Sequence, residues 1–381
     1  MPYLSYKIKG RSYVLRFKLQ EGLSCNIIYK MHHGGIYKNL IAILSLLLII
    51  GCAGIKTEGE LVWPLPPDEP RIRYVGTITT SRDVEKESFG KTLKTAVLGG
   101  DIVEGLRKPY GVHADKDGRI YVADTGWGKV LIFDYVAYKF AILGTDGNGV
   151  LTKPAGITTD STGRIYVTDT VQNRIVVYDK DTNFLLGIGK KGDLEQPVGI
   201  AVNEKLDRLY VVDTKLNKIF VFNTKGDKLF EIGKRGTNDS EFNYPTNIFI
   251  DKEGRLYVMD TMNFRVQIFD AEGKFIKKFG EVGTGYGQFS KPKGIAVDSE
   301  GHIYVVDSAF NNIQIFDPEG KLLLFFSNMG NKRGEVWLPA GVYIDENDKI
   351  YVADQYNRRV NIYQYMGERY KAQAQKAAVK N

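Results

Sequence analysis

The chain has 381 residues, 43% of them hydrophobic and 25% charged, a composition that allows a buried core and excludes global disorder. Its formal net charge of +7 is concentrated at the start, because residues 1–51 carry seven Lys or Arg and one Glu. The remaining chain has 45 Lys or Arg against 44 Asp or Glu, so the basic isoelectric point is no evidence for nucleic-acid binding.

The first distinctive segment is LIAILSLLLII at 40–50, an uncharged run that follows Lys38. It is shorter than the roughly 20 residues that a membrane-spanning helix needs, and its basic flank is typical of a secretory signal. The next residues complete IIGC at 49–52, which resembles the lipobox of bacterial lipoproteins. The resemblance implies acylation of Cys52; the alternative is an uncleaved membrane anchor in which the cysteine is incidental.

We therefore predict that residues 1–51 are a lipoprotein signal, with Met31 as the true start of translation. Ala53 follows the cysteine, and in that family this implies outer-membrane rather than inner-membrane placement. The only other cysteine is Cys25, so the mature chain would hold neither a free thiol nor a disulfide. The predicted protein is exported, and its contact with the membrane is the lipid anchor.

The segments between this signal and the repeats carry less pattern. We expect a proline-rich, semi-extended tether over 52–70, where LVWPLPPDEP occurs. A closing strand is predicted over 71–80, with RIRYVGTI at 71–78 as its centre. Residues 81–106 are expected to be an insertion with a short helix, and 366–381 a basic helical tail. For this tail, we favour a solvated helix over a membrane contact.

A repeat of 44 to 47 residues dominates the rest of the chain, 107–365. Its copies are YVADTGWGKVLIFD (121–134), YVTDTVQNRIVVYD (166–179), YVVDTKLNKIFVFN (210–223), YVMDTMNFRVQIFD (257–270), YVVDSAFNNIQIFD (304–317) and YVADQYNRRVNIYQ (351–364). Each copy contains short β-branched and aromatic runs separated by turn residues, the pattern of four antiparallel strands. The predicted fold is an all-β, six-bladed β-propeller of four-stranded antiparallel blades.

The sixth copy has no fourth strand after it, so we predict that 71–78 supplies one and closes the ring. The pattern P-x-G-I…G-x-I-Y-V-x-D…N-R-I-x-V-F-D resembles NHL repeats over 107–365. The first copy departs from it at Gly126-Trp127-Gly128-Lys129, and the fifth has Asn312 in place of a cation.

An aspartate ends the second strand of every copy, and a cation follows five residues later in five of the six copies. The aspartates are Asp124, Asp169, Asp213, Asp260, Asp307 and Asp354. The cations are Lys129, Arg174, Lys218, Arg265 and Arg359. Catalysis rarely needs six copies of one site, so we interpret the aspartates as structural turn staples that pair across the turn or accept its backbone N–H groups.

Large apolar residues stand between aspartate and cation, where turns are normally polar. Together with neighbouring arginines they form the predicted partner-binding rim: Trp127, Met262, Phe264, Phe310, Tyr356, Arg174, Arg265 and Arg359. Aromatic residues mixed with cations are typical of an interface. The alternative is that these side chains fold back and seal neighbouring blades.

No constellation for catalysis is evident. The presumed mature chain contains only His113 and His302, too few for a zinc site, and the first-strand residues near the channel entrance include no acid. We therefore predict no catalytic residues, no metal and no cofactor. The predicted function is a lipid-anchored scaffold that binds an envelope protein or peptide on its loop face. The alternatives are a metal-dependent lyase or lactonase-like enzyme with a central-channel site, and carbohydrate binding.

Overall fold

The computed structural model describes residues 12–18, 24–30, 59–85, 104–190 and 192–380, and the chain divides into two compact units, Met1–Gly59 and Glu60–Asn381. In the first unit, β1 (Ser12–Lys18) and β2 (Ser24–Lys30) form an antiparallel hairpin. The predicted signal run 40–50 and Cys52 lie outside the described residues. The second unit contains the six repeats.

Blades one to five are four-stranded antiparallel sheets whose strands follow one another in chain order. Blade one consists of β5 to β8 (Pro109–Ala114, Arg119–Asp124, Lys129–Asp134, Lys139–Leu143). Blade two consists of β9 to β12 (Pro154–Thr159, Ile165–Asp169, Arg174–Tyr178, Phe184–Ile188). Blade three consists of β13 to β16 (Pro197–Asn203, Arg208–Asp213, Lys218–Phe222, Lys228–Ile232).

The connection to blade four contains a short parallel pair, β17 (Lys234–Arg235) and β18 (Glu241–Phe242). Blade four consists of β19 to β22 (Pro245–Ile250, Leu256–Asp260, Arg265–Phe269, Phe275–Phe279). Blade five consists of β23 to β26 (Pro292–Val297, Ile303–Asp307, Asn312–Phe316, Leu322–Phe326). The prediction of an all-β fold with six four-stranded antiparallel blades is confirmed.

Blade six begins with β27 to β29 (Pro339–Ile344, Lys349–Asp354, Arg359–Tyr365). Its outer position is taken by β4 (Ile72–Ile78), which pairs antiparallel with β29. A fifth strand, β3 (Val62–Trp63), pairs with β4 inside the stretch expected to be an extended tether. The reason is apolar burial: Trp63 lies 5.8 Å from both Phe326 and Tyr363 between ring centroids.

The hydrophobic core consists of six clusters, each between two adjacent blades. The second strands supply much of it: Tyr121, Tyr166, Tyr210 and Tyr304 are fully buried. Near the axis the first strands approach closely at a glycine. A Cβ on Gly111 would come within 2.1 Å of the Ala155 carbonyl oxygen, so no larger side chain fits that contact.

Four 3-10 turns occur in the described residues, at Ser81–Asp83, Gly147–Gly149, Glu204–Leu206 and Thr261–Asn263. The short helix expected within 81–106, from the sequence SFGKTLKTAVLGG at 88–100, lies outside the described residues.

The tail forms the helix α1 (Glu368–Lys380), whose first turns contact the propeller while its side chains over 372–376 are exposed. Lys371 pairs with Glu69 at 3.0 Å, and the backbone N–H of Glu368 donates to Glu300 at 2.8 Å. No helix in the described ranges has the length and apolar character needed to cross a bilayer.

Candidate binding face

The antiparallel order of each blade puts two kinds of loop on one side of the propeller: the second-to-third-strand turns and the fourth-to-first-strand connections. We call this side the turn face, and the other side, with the first-to-second and third-to-fourth turns, the opposite face. The strand register agrees with this assignment of the faces, because the proline that starts each first strand pairs with the aspartate that ends the second strand.

The six predicted aspartates all lie at the turn face with fully buried side chains. In blade one, the Asp124 carboxylate accepts backbone N–H bonds from Arg107 and Lys108 in the connection, and from Gly126 and Trp127 in the turn. The same double role recurs in blades two, three and five. One side chain thus ties two loops together, a link to the connection that the sequence did not indicate.

Blades four and six use a different arrangement. The Asp260 carboxylate accepts hydrogen bonds from one backbone N–H of the connection, from the Asn263 side-chain amide and, at 2.9 Å, from the Arg265 Nε. Asp354 accepts the equivalent bonds, with Asn357 and Arg359 as the side-chain donors. Burial raises the pKa of both carboxyl groups, opposed by these hydrogen bonds.

Of the two roles expected for the aspartates, the first three blades show acceptance of backbone N–H groups of the turn and not the pair with the cation. Lys129 donates instead to the carbonyl of Gly144, Arg174 to the carbonyls of Asn148 and Val150, and Lys218 to Glu231. These cations reach nearby carbonyls or a carboxylate on the outer strand, because each aspartate is already occupied by backbone donors.

Three predicted rim residues are half-buried, and the side chains of two of them contact their own fold. Trp127 donates its indole N–H to the Gly105 carbonyl at 2.7 Å and has the Arg107 guanidinium 3.4 Å above its ring. Phe264 packs against the core between blades four and five. Phe310 is half-buried as well. For Trp127 and Phe264, the structure therefore supports the alternative of side chains that seal neighbouring blades.

The other two apolar rim residues are exposed: Met262 by 49% and Tyr356 by 58%. Tyr356 lies on Trp337, with ring centroids 3.9 Å apart. Two exposed neighbours were not predicted from the sequence, Tyr244 and Leu338, which immediately precede the first strands of blades four and six. The sequence could have indicated them, because the other four blades have Lys or Gln at the equivalent position.

The first-strand residue after each proline surrounds the entrance of the central channel: Tyr110, Ala155, Val198, Thr246, Lys293 and Ala340. A cavity of about 220 Å³ extends along the channel from Tyr110 to Glu204. Burial, reinforced by the nearby ammonium groups of Lys291 and Lys108, lowers the pKa of Lys293 to about 8. Burial also raises the pKa of Tyr110 to about 12.

The opposite face carries a second repeated motif that sequence reasoning missed. In blade one, the Asp115 carboxylate accepts bonds from Arg119 and the Tyr121 hydroxyl, and blades two and four repeat this arrangement. In blade five the cation is His302, 2.9 Å from Asp298, and this hydrogen bond raises the pKa of the imidazole. The D-x-x-G-R-x-Y pattern, which recurs in the sequences of blades one, two and four, could have indicated this motif.

A second cavity of about 590 Å³ lies on the opposite face between blades six and one. Where it meets the channel, His113 bonds Thr159 at 2.9 Å and lies 4.3 Å from the Tyr343 ring centroid. Burial lowers the pKa of His113 to about 4, so the ring is neutral at physiological pH. Among the described residues, no three His, Cys, Asp or Glu side chains are grouped to hold a metal ion.

Comparison with known proteins agrees with this architecture. A family model described as a 6-bladed beta-propeller, DUF5128, matches residues 198–255 and 252–313, and the NHL repeat model matches 151–178. No curated protein matches the sequence.

Solved structures show the same fold at low identity. Virginiamycin B lyase from Staphylococcus aureus is 16% identical, with a TM-score of 0.52 over 68% of this chain and 94% of that one. A streptogramin B lyase is 14% identical, with a TM-score of 0.53 over 81% and 97%. An auxiliary nutrient binding protein from Bacteroides thetaiotaomicron is 14% identical, with a TM-score of 0.54 over 69% and 70%. The fold is therefore that of a six-bladed β-propeller, and the chain is similar to NHL-repeat proteins over the residues that the family models match.

Proposed function

We propose that this propeller is a binding scaffold whose turn face engages a protein or peptide. The supporting observation is the distribution of large apolar side chains that are exposed at its described loops, nine on the turn face against four on the opposite face. The nine are Val150, Val171, Tyr244, Met262, Val282, Tyr286, Met329, Leu338 and Tyr356; the four are Leu65, Val136, Tyr138 and Leu206. An exposed apolar surface next to cations is characteristic of polypeptide interfaces.

The proposal is tested by capture of partners from an envelope extract. A Tyr244→Ser/Met262→Ser/Tyr356→Ser variant should lose the partners that the wild type retains, because hot-spot residues are usually large and apolar or aromatic. The matched control, Val136→Ser/Leu206→Ser, removes exposed apolar side chains from the opposite face and should retain them. If the turn-face variant captures the same partners as the wild type, the proposal is wrong.

The proposed location is the outer membrane, reached through acylation at Cys52. The support is the IIGC sequence after an apolar run and a basic flank. Growth with a labelled fatty acid should label the wild type and leave Cys52→Ala unlabelled, and fractionation should move Cys52→Ala out of the membrane. Labelling of Cys52→Ala would contradict the proposal.

A metal-dependent enzyme remains the alternative in a different class. Metal analysis of the purified protein separates the two, because a stoichiometric divalent ion would favour the enzyme.

A further inference from the structure

A group of lysines lies at the centre of the turn face. The residue before each first-strand proline forms a ring around the channel entrance: Lys108, Lys153, Gln196, Tyr244, Lys291 and Leu338. Lys293 lies one step further in, close enough to Lys108 and Lys291 for their charges to act on it. The ring itself contains no acidic residue.

These lysines are not held in ion pairs in the described part of the chain. None of Lys108, Lys291 and Lys293 forms an ion pair there, whereas Lys215 on the same face pairs with Glu195 at 2.8 Å. The nearest carboxylates are the buried staple aspartates, and Asp124 and Asp307 point inward to accept the backbone N–H groups of Lys108 and Lys291. Both carboxylates keep their charge but are fully buried, whereas Lys108 and Lys291 are exposed, so the lysine ammonium groups are the charges that an incoming ligand meets. Low-dielectric walls around the entrance concentrate their potential.

Lys293 is also unusual for its position. The five equivalent residues are Tyr110, Ala155, Val198, Thr246 and Ala340, all uncharged. A half-buried ammonium beside two like charges costs stability, and residues that cost stability in the fold are characteristic of functional sites.

Apolar groups adjoin this charge. Lys291 belongs to blade five and Lys108 to blade one, so the two flank blade six, which presents Leu338, exposed by 42%, and Tyr356, stacked on Trp337. An occupant that satisfies both features needs negative charges with an apolar side chain between them. A polypeptide with acidic residues around a leucine-like side chain has this chemistry, whereas inorganic phosphate supplies only the charge.

We propose that Lys108, Lys291 and Lys293 form an anion site at the channel entrance that binds carboxylates of an acidic, apolar-bearing polypeptide segment. This rests on the proposed function, since it names the chemistry of the turn-face partner. The segment's carboxylates accept bonds from the ammonium groups, and its apolar side chain packs on Leu338 and Tyr356. Charge-assisted hydrogen bonds of this kind are about twice as strong as neutral ones.

The experiment uses purified full-length protein and two peptides, acetyl-Glu-Glu-Leu-Glu-Glu-amide and its Gln analogue, with binding measured by calorimetry. At low salt the Glu peptide should bind at least about tenfold more tightly than the Gln peptide. Lys293→Gln should weaken Glu-peptide binding by about tenfold, and the matched control Lys225→Gln, on the opposite face, by less than about twofold. Binding should also fall as pH rises from 7 to 9, because the Lys293 ammonium deprotonates, with Lys108, Lys291 and Asp307 as its charged neighbours.

Equal affinity for the two peptides, or an unchanged Lys293→Gln, would overturn the anion site. Tighter binding of inorganic phosphate or of a ten-nucleotide oligothymidine than of the Glu peptide would overturn the polypeptide assignment. Envelope capture separates the two proposals. If Lys293→Gln keeps its partners while the apolar turn-face variant loses them, only the anion site fails. If neither variant loses partners, the turn-face function fails as well.

Discussion

At the scale of single residues, the fourth position after each staple aspartate has a left-handed backbone. Its φ lies between 54° and 65° in all six blades. Four blades place residues there that tolerate this conformation: Gly128, Asn173, Asn217 and Asn311. Blades four and six place Phe264 and Arg358 there, at a conformational cost. Phe264 recovers part of that cost through its core contact, while Arg358 is exposed.

Arg358→Gly should therefore stabilise the protein by about 0.5–1 kcal/mol, because glycine adopts this backbone without strain. Urea denaturation at pH 7 measures the change. Arg358→Lys keeps the strained backbone and serves as the control, which should match the wild type within about 0.5 kcal/mol. A destabilised Arg358→Gly would show that the arginine side chain contributes more than the strain costs.

Lys293 gives a second prediction at this scale, with a defined pH dependence. Its folded pKa of about 8 lies below the ordinary 10.5, so the unfolded chain binds more protons between these values. The charged lysine thus costs stability in full below pH 8, and the cost disappears as pH rises towards 10.5. Lys293→Met should stabilise the protein by about 1–3 kcal/mol at pH 7 and by much less at pH 10.

The measurement is the difference in urea midpoint between Lys293→Met and the wild type at both pH values. Lys225→Met, fully on the surface of the opposite face, should show little difference at either pH. A gain that is the same at pH 7 and pH 10 would mean that packing, rather than charge, accounts for it.

At the scale of elements, arginine acts as a clamp on the connections before blades four and six. Arg265 donates to the carbonyls of Thr237, Asn238 and Glu241 as well as to Asp260. Arg359 does the same with Asn331, Lys332 and Glu335. Blade five has a connection of similar length and Asn312 at the clamp position, where the buried Oδ1 has no hydrogen-bond partner among the described residues.

Exchange of these two residues tests the clamp in both directions. Arg265→Asn should destabilise the protein by about 3–5 kcal/mol, because it leaves the buried Asp260 carboxylate without its ion pair. Asn312→Arg should stabilise it by roughly 1 kcal/mol, because the guanidinium can donate to carbonyls of the connection before blade five and the change removes an unsatisfied buried oxygen. Thermal unfolding of both variants provides the measurement. A destabilised Asn312→Arg would show that the blade-five connection follows a path the guanidinium cannot reach.

The elements themselves could be predicted from the sequence, and their side-chain partners could not. Runs such as the one over 304–317 alternate between Gly or Asn turns and β-branched residues, which defines strands to within a residue or two. The hydrogen-bond partner of each cation depends on the path of a connection that is distant in sequence. This path produces no local sequence pattern. Lys129 and Arg265 occupy the same position in the repeat, yet only Arg265 meets the aspartate.

At the scale of the molecule, six repeats with an incomplete last copy were enough to predict the propeller. The fifth strand of blade six was not predictable, because prolines around Val62 and Trp63 suggested a spacer. The contacts of the tail helix were missed for a related reason: its partners Glu69 and Glu300 are about 70 or more residues upstream of it, so no local pattern signals them. Contacts between distant segments depend on the finished surface rather than on periodicity.

The pairing of β4 with β29 joins residues 283 positions apart, as in the bond from the Thr77 hydroxyl to the Val360 carbonyl. If this pairing closes the ring, a mutation that creates a cavity beneath β4 should lower the stability of the whole propeller rather than of one edge. Ile72 is fully buried in the core between blades five and six, whereas Val75 on the same strand is 48% exposed. Ile72→Ala should cost about 2–5 kcal/mol and Val75→Ala less than about 0.5 kcal/mol. Urea unfolding followed by tryptophan fluorescence and far-ultraviolet circular dichroism should give one coincident transition for each variant. A separate early transition in Ile72→Ala, with the remaining signal unchanged, would show that β4 is a detachable edge and that the other strands hold the ring without it.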